Sequence, residues 1–136
     1  MHPAYFETHF LAEMSPTDWP AEFAIITAFA TTGANWTPSQ NEAADKMLES
    51  ELRAAGKWLQ RLTGFSPTTG HAEPGWAVDL SLAAALELGC RYKQDAIFFV
   101  INDALHVTLC GRAQEVLVPI GSFRQRVRIL PSPSAS

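Results

Sequence analysis

His71 and Glu73 are the side chains best suited to acid–base chemistry. They lie two positions apart within residues 64–75, a segment rich in glycine and proline. A glutamate can act as a general base, and a histidine beside it can carry the proton onward. Residues two apart point the same way only in extended backbone. We expect residues 64–75 to form a long loop, and such loops in compact domains are more often functional or mobile than connective. An enzymatic hypothesis therefore makes Glu73 the general base of a small hydrolase or transferase.

The usual signatures of catalytic and metal centres are missing from the sequence. It contains no GxSxG, HExxH, P-loop or GxGxxG motif. His71, Glu73 and Asp79 do not have the spacing of metal ligands, so we expect neither a metal nor a cofactor. Cys90 and Cys110 lack a CxxC spacing and adjoin apolar residues. We predict two reduced, buried thiols with raised pKa values, which would make them poor nucleophiles.

Residues 23–56 predict a buried strand, a polar loop and an amphipathic helix. The strand is a short apolar run with β-branched members at residues 23–26. Residues 39–42 match a capping box, Gly56 suits the C-terminal cap, and Glu49 and Arg53 form a surface pair. The expected apolar stripe consists of Ala44, Met47, Leu48, Leu52 and Ala55. Ligands often collect where a strand feeds a helix, so residues 27–40 are the first place to look for a site.

The other elements predict an α+β fold. Further strands are expected near residues 4–11, 57–63, 76–80, 96–101, 104–109 and 115–120, with a second helix from Ser81 to about Tyr92. Gly89 weakens that helix, so we expect close packing against it. Asn102 and Asp103 suit a tight hairpin turn. We predict a two-layer αβ sandwich, with both helices on one face of a mixed, mostly antiparallel sheet of five to seven strands. The exposed sheet face or an edge could then form a homodimer.

Composition favours one αβ domain over residues 1–130 and a disordered tail at residues 131–136. The 136-residue chain is 47% hydrophobic and 18% charged, which is typical of a globular protein. Its formal net charge of −4 argues against general nucleic-acid binding, because clustered Lys and Arg are needed to meet a phosphate backbone. We find neither a signal peptide nor a membrane-spanning apolar run in the sequence, and we expect a cytoplasmic protein without membrane contact.

Three arginines near the end of the chain stand out. Arg124, Arg126 and Arg128 alternate with other residues, which would place three guanidinium groups on one face of an extended segment. One interpretation is a charged edge strand that docks on an acidic body and resists edge-to-edge pairing. The other is a surface for an anionic partner. The sequence leaves both open.

The order and spacing of several segments resemble the domain of unknown function 3293 family of bacterial proteins. The matching stretches are residues 23–28, Asn41 with Leu48, Leu52 and Gly56, Gly64 with residues 71–73, and residues 86–97. The resemblance covers roughly residues 20–110 and implies that Thr27, Asn41, Glu73 and Gln94 be weighed as a set. The chain departs from the family pattern where Phe29-Ala30 replaces a common Asn-Pro, Asp45 a common Asn and Lys93 a common Gly.

That set would converge at one edge of the sheet, with His71 beside Glu73, and could orient a small polar ligand through amide, hydroxyl and carboxylate contacts. In the alternative interpretation these residues only stabilise the fold and bind no ligand. Asn41 then supports a helix start, Gln94 closes a helix, and Glu73 accepts hydrogen bonds from loop amides. We favour a small cytoplasmic binding or interaction module with a modest polar pocket at the strand-helix edge. The alternative is the enzyme that uses Glu73 as its base.

Overall fold

The structure is a computed structural model and describes residues 3–13, 19–29 and 36–129. The predicted disordered tail at residues 131–136 lies outside these ranges. A 3-10 helix comes first, at Pro3–Glu7. The strands and helices that follow are β1 His9–Ala12, β2 Glu22–Ile26, α1 Pro38–Ala54, β3 Leu59–Phe65, β4 Ala72–Val78, α2 Leu82–Arg91, β5 Ala96–Ile101, β6 Ala104–Leu109, β7 Val118–Ser122 and β8 Val127–Ile129.

The described strands form one sheet in the order β7-β6-β5-β2-β4-β3-β1-β8. Every neighbouring pair is antiparallel except β1 and β8, which are parallel. The predicted α+β class and the mixed, mostly antiparallel sheet are confirmed. The expected count of five to seven strands is wrong, because the described sheet has eight strands and only seven were predicted. Residues 127–129 make the last of them, β8.

The sheet curls into a half-barrel, so the predicted two-layer αβ sandwich is also wrong. Both helices pack on the convex face, where Leu48 and Leu52 of α1 and Ala85 and Leu88 of α2 join one buried cluster. The concave face holds a second buried cluster made of side chains from the curled sheet itself. The exposed sheet face expected for dimerisation therefore does not exist in the described part of the chain.

Alternation along β2 shows how one strand serves both clusters. Phe23 and Ile25 point into the concave cluster, while Ala24 and Ile26 point toward the helices. This is the two-residue period of a strand buried on both faces. A strand with that environment reads as a continuous apolar run, as residues 23–26 do.

The curl depends on a glycine in β4 and on an arginine at the sheet edges. A Cβ built on Gly75 would lie 2.8 Å from the Ile26 carbonyl oxygen, so only glycine lets the strands approach this closely. The Arg126 guanidinium donates to the carbonyl oxygens of Phe6 (2.9 Å) and Thr8 (3.1 Å), just before β1, and of Ile120 (2.5 Å) in β7. These hydrogen bonds link opposite sides of the curled sheet.

Helix α1 starts two residues earlier than predicted, with Thr37 rather than Ser39 as the N-cap. The Thr37 hydroxyl accepts from the Gln40 N–H (3.2 Å), the Gln40 side chain accepts from the Thr37 N–H (2.8 Å), and Pro38 begins the helix. Threonine followed by proline suits a helix start as well as the serine does. Met47 was placed on the apolar stripe but is 63% exposed.

Several local predictions are confirmed. Gly56 follows α1 with φ 68°, and the Glu49–Arg53 pair closes at 2.8 Å. Ser81 caps α2, and a Cβ on Gly89 would lie 2.8 Å from the Cys110 sulfur, so the expected close packing is present. The turn between β5 and β6 places both of its central residues, 102 and 103, at positive φ.

The predicted long loop at residues 64–75 is wrong. Strands β3 and β4 pair as far as Phe65 and Ala72, which leaves a connection of residues 66–71. Gly64, Pro74 and Gly75 lie inside these strands, whereas Pro67 and Gly70 lie in the short connection. At the N-terminus the predicted strand 4–11 starts only at His9, after the 3-10 helix. Within the described ranges, neither helix has the length and apolar character needed to cross a bilayer.

Candidate functional site

A cavity of about 140 Å³ opens at one end of the concave face. It lies where β2 and β3 end and where β1, β4 and β5 begin, and the N-terminal 3-10 helix forms part of its wall. Its apolar wall includes Phe10, Ile25, Leu62, Phe65, Ala96, Ile97 and Phe98. Its polar lining is Tyr5, Thr8, Thr27, Ser66, His71, Glu73 and Gln94. Four of the five predicted site residues are thus brought together, and Asn41 is not among the lining residues.

Thr27 lies at the rim because β2 stops pairing with β4 just before it. Its hydroxyl donates to the Pro74 carbonyl oxygen (2.8 Å) and accepts from the Phe29 N–H (3.1 Å). Pro74 has no N–H and cannot donate a hydrogen bond from β4 to β2. The Thr27 hydroxyl makes the contact between the two strands at this position instead. Thr27 therefore shapes the cavity wall, and its only proton is already donated to the backbone.

Gln94 reaches the cavity from the end of α2. Lys93 has φ 57°, its N–H donates to the Cys90 carbonyl, and the Gln94 N–H donates to the Gly89 carbonyl, which together form a Schellman cap. The Gln94 side-chain nitrogen donates to the Phe29 (2.8 Å) and Tyr92 (3.2 Å) carbonyl oxygens. Two carbonyl neighbours fix the amide orientation, so its oxygen is the atom that could accept from a ligand.

Glu73 is the carboxylate of the cavity. It lies on the concave side of β4, in register with Gly75 and Ala77, and its side chain is 32% exposed. The His71 Nε2 lies 3.2 Å from Glu73 Oε1, although the imidazole itself is 72% exposed. The extended backbone that the enzymatic hypothesis required at residues 71–73 is therefore present. The two side chains form a pair that could bind a donor or move a proton.

Asn41 belongs to a different part of the molecule. It lies in the first turn of α1, where its backbone N–H donates to the Thr37 carbonyl (3.1 Å). The predicted convergence of strand end and helix start therefore does not extend to this residue. The segment between them, residues 30–35, lies outside the described ranges.

Sequence reasoning missed Thr8, Ser66 and Tyr5 among the polar lining residues, and of these Tyr5 contributes an aromatic ring. Its ring makes an edge contact with Phe98 (centroids 6.1 Å apart). Burial, followed by the negative charges of Asp95 and Glu73, raises the pKa of its phenol to about 12. The aromatic run at residues 4–11 suggested a strand, and only the 3-10 geometry brings Tyr5 to the cavity.

A second polar cluster, also missed, lies between α1 and the convex face. Asp45 is 8% exposed and accepts two hydrogen bonds from Arg61 (2.8 and 2.9 Å) and one from the Trp76 indole N–H (3.1 Å). The Arg61 guanidinium also lies 4.4 Å from the Trp76 ring centre. Each polar group of this cluster has a partner, so it serves to dock the helix on the sheet.

The two cysteines are free thiols, as predicted, but neither is fully buried. Cys90 at the end of α2 is exposed, and Cys110 after β6 is partly buried. Burial, and then the adjacent Cys90, raises the pKa of Cys110 to about 12. The raised pKa expected for this thiol is thus present, and it makes Cys110 a weak nucleophile.

The arginine-rich segment does not form the predicted extended face. Residues 124–126 make a turn, and β8 begins at Val127. Arg126 points inward to the backbone carbonyls, while Arg128 lies 5.9 Å from the Phe65 ring centre. The edge-strand interpretation holds for β8, which pairs only with β1 among the described strands.

The half-barrel and the cavity define a class of small α+β protein that has a cavity at one end of a curled sheet. The chain belongs to the family described as Protein of unknown function (DUF3293), whose sequence model matches residues 26–97, just over half of the chain. Comparisons with curated proteins and with solved structures give no match.

The family match and the departures from its pattern can now be placed. The matched region supplies Thr27, His71, Glu73 and Gln94, while Tyr5 and Phe98 lie outside it. Lys93, which replaces a common glycine, has the positive φ that glycine adopts most easily. In the described residues no group of three or more His, Cys, Asp or Glu side chains is placed to hold a metal ion.

Proposed function

We propose that this protein is a small cytoplasmic binding module of bacterial origin that holds a small ligand in the cavity at the open end of its half-barrel. The observation that carries the proposal is the 140 Å³ cavity, which has an apolar wall and few polar groups, one of them a partly buried carboxylate. Binding sites commonly combine an apolar surface with a small number of placed polar groups.

The hydrogen bonds of the lining favour binding over catalysis. Thr27 and the Gln94 nitrogen donate to the backbone, so they hold the wall in shape rather than act on a substrate. Glu73 and the Gln94 oxygen are left as acceptors. An enzyme that uses Glu73 as general base is the second candidate, and the 3.2 Å contact with His71 favours it.

A thermal-shift screen of small metabolites tests the proposal, because a ligand that binds only the folded state raises the melting temperature. We compare the wild type with Ala96→Leu, which fills the cavity from β5, and with Ala84→Leu on the exposed surface of α2. A cavity ligand should raise the melting temperature of the wild type and of Ala84→Leu by several degrees and leave Ala96→Leu unchanged, each relative to its own unliganded value.

Equal stabilisation of all three proteins would contradict the proposal. Amide chemical-shift changes confined to Glu73, Gly75 and Gln94 would locate the ligand without any substitution. The enzymatic candidate is tested by Glu73→Gln, which should then keep ligand binding and lose turnover.

A homodimer, if formed, would use a sheet edge, because the helices and the curl cover the two faces of the described sheet. We propose β7 or β8, the two edge strands of that sheet, as the contact. Light scattering across a range of concentrations checks the mass, and a monomer at all concentrations would contradict this part of the proposal.

A further inference from the structure

The described cavity lining holds a negatively charged side chain and no lysine or arginine. Of its 18 residues, Glu73 carries a formal negative charge, His71 is paired with it, and none of these described lining residues is a lysine or arginine. An anion placed there would meet a carboxylate without a permanent countercharge, whereas a cation would meet a partner.

The charged groups outside the lining include one carboxylate and two guanidinium groups. Burial, and then the negative charges of Asp95 and Glu73, raises the pKa of the Tyr5 phenol. Arg126 donates to the Thr8 carbonyl oxygen and Arg128 lies 5.9 Å from the Phe65 ring centre, and neither forms an ion pair with Glu73. Arg61 is on the opposite face of the sheet and paired with Asp45.

The wall that completes the cavity is aromatic. Tyr5, Phe10 and Phe98 form a connected group, with ring centres 6.1 Å apart for Tyr5–Phe98 and 5.4 Å for Phe10–Phe98. Aromatic faces carry negative electrostatic potential and attract organic cations. A carboxylate beside aromatic rings is therefore suited to an ammonium group attached to an apolar body.

The volume limits the size of that body. An engineered apolar cavity of about 150 Å³ in another protein takes up benzene, and the cavity described here measures about 140 Å³. One ring, or a branched alkyl group of the same size, fills it. Anything larger would extend into solvent through the open end.

We propose that the ligand is a small organic cation, an amine whose ring-sized apolar group fills the cavity and whose ammonium group pairs with Glu73. This inference rests on the proposed binding function and adds the chemical class of the ligand. The ammonium donates to Glu73, and the Gln94 carbonyl oxygen is the second acceptor of the lining. His71 competes for the same carboxylate when it is protonated.

Three ligands of nearly equal shape test the charge preference: benzylamine, benzyl alcohol and benzoate, measured by titration calorimetry at pH 8 and low salt. We expect benzylamine to bind about tenfold more tightly than the alcohol, the effect of a partly screened ion pair, and benzoate to bind most weakly. Added salt should weaken the binding of the amine and leave that of the alcohol unchanged.

Glu73→Gln should lower the affinity for benzylamine about tenfold, to the value of the alcohol, and leave the alcohol's affinity unchanged. Glu42→Gln, an exposed carboxylate on α1, is the matched control and should change neither. The comparison of the three ligands on the wild type needs no variant, so it stands even where Glu73→Gln fails to fold.

Three results would overturn the cation assignment. The amine and the alcohol could bind with equal affinity, benzoate could bind more tightly than the amine, or none of the three ligands could bind. The binding function itself is judged separately with Ala96→Leu. When that variant loses a non-cationic ligand, the cavity binds but the cation assignment is wrong. When it keeps every ligand with unchanged affinity, the cavity is not the binding site.

Discussion

The two ends of the concave face differ in how completely side chains fill the space between the strands. At the closed end, Trp19, Phe23, Trp58 and Phe123 meet with ring centres 4.9–5.8 Å apart. The open end has small residues at the corresponding positions. Gly64, Gly75 and Ala96 line the cavity there. The space at the open end thus follows in part from these small residues, although Phe10 and Phe98 place aromatic rings there too.

Strand β2 shows the gradient most directly. Its concave positions run from Phe23 at the closed end through Ile25 to Thr27 at the open rim. The line of β3 repeats it, from Trp58 through Leu62 to Gly64. Large aromatic residues contribute most of the burial energy of a core. The closed end is therefore expected to supply most of the core stability, and the open end holds the cavity in which we propose that a ligand binds.

Phe123 gives the largest expected effect. Its side chain is 1% exposed and contacts Phe10, Trp19 and Phe23. Phe123→Ala should lower the free energy of unfolding by about 3–5 kcal/mol, because it leaves a cavity in the core. Urea unfolding followed by circular dichroism measures it. Phe6→Ala, at a site that is 42% exposed, is the control and should lose under about 1 kcal/mol. Equal losses would contradict the assignment.

The two glycines of the open end should differ from each other. A Cβ at Gly75 would meet the Ile26 carbonyl oxygen at 2.8 Å, whereas a Cβ at Gly64 would meet the Thr8 methyl group at 3.3 Å. Backbone cannot move aside as a methyl group can, so Gly75→Ala should cost about 1–3 kcal/mol and Gly64→Ala under about 1 kcal/mol. Urea unfolding followed by circular dichroism measures the loss of stability in both variants. A larger loss for Gly64→Ala would show that the curl does not depend on Gly75.

Tyrosine ionisation compares the open end with the α1–α2 contact. Burial is the main cause that raises the pKa of Tyr5 to about 12. Burial, and then the hydrogen bond that the Tyr92 hydroxyl donates to the Glu51 carboxylate (2.7 Å), raises the pKa of Tyr92 to about 12 as well. The folded phenols hold their protons to about pH 12, while unfolded ones release them near pH 10. Stability is therefore unaffected by these groups below pH 10 and falls between pH 10 and 12.

Absorbance at 295 nm measures phenolate directly. We expect little signal near pH 10 and a rise that coincides with alkaline unfolding. The chain has two tyrosines, so Tyr5→Phe should remove half of the signal and reduce the loss of stability. A simple titration near pH 10 in the folded protein would contradict the burial of both rings.

Local features of the fold were predictable from the sequence because they depend on neighbouring residues. The Ser81 cap, the Gly56 terminus and the turn at residues 102–103 follow from side-chain chemistry within a few positions. The curl was not predictable, because it depends on Gly75 meeting a carbonyl of another strand. The same glycine looked like a loop residue when only its own segment was considered.

The candidate site divides in the same way. Thr27, Glu73 and Gln94 came from the family resemblance, and all three line the cavity. Tyr5 was not predicted from the resemblance, because it reaches the cavity only through the 3-10 helix that precedes β1. Asn41 came from the same resemblance, yet it lies in the first turn of α1 and is not among the lining residues. Sequence order predicts such neighbours poorly when a connecting segment is long.

Lys93 gives the smallest expected effect and has the opposite sign. It adopts φ 57° in the cap that carries Gln94 to the open end, a conformation in which glycine avoids the Cβ clash. Lys93→Gly should raise the free energy of unfolding by about 0.5–1 kcal/mol. The same substitution at Lys46, exposed within α1, should lower it by about 1 kcal/mol, because glycine is a poor helix former. If Lys93→Gly destabilised the protein as Lys46→Gly does, the left-handed cap at the open end would not be a source of strain.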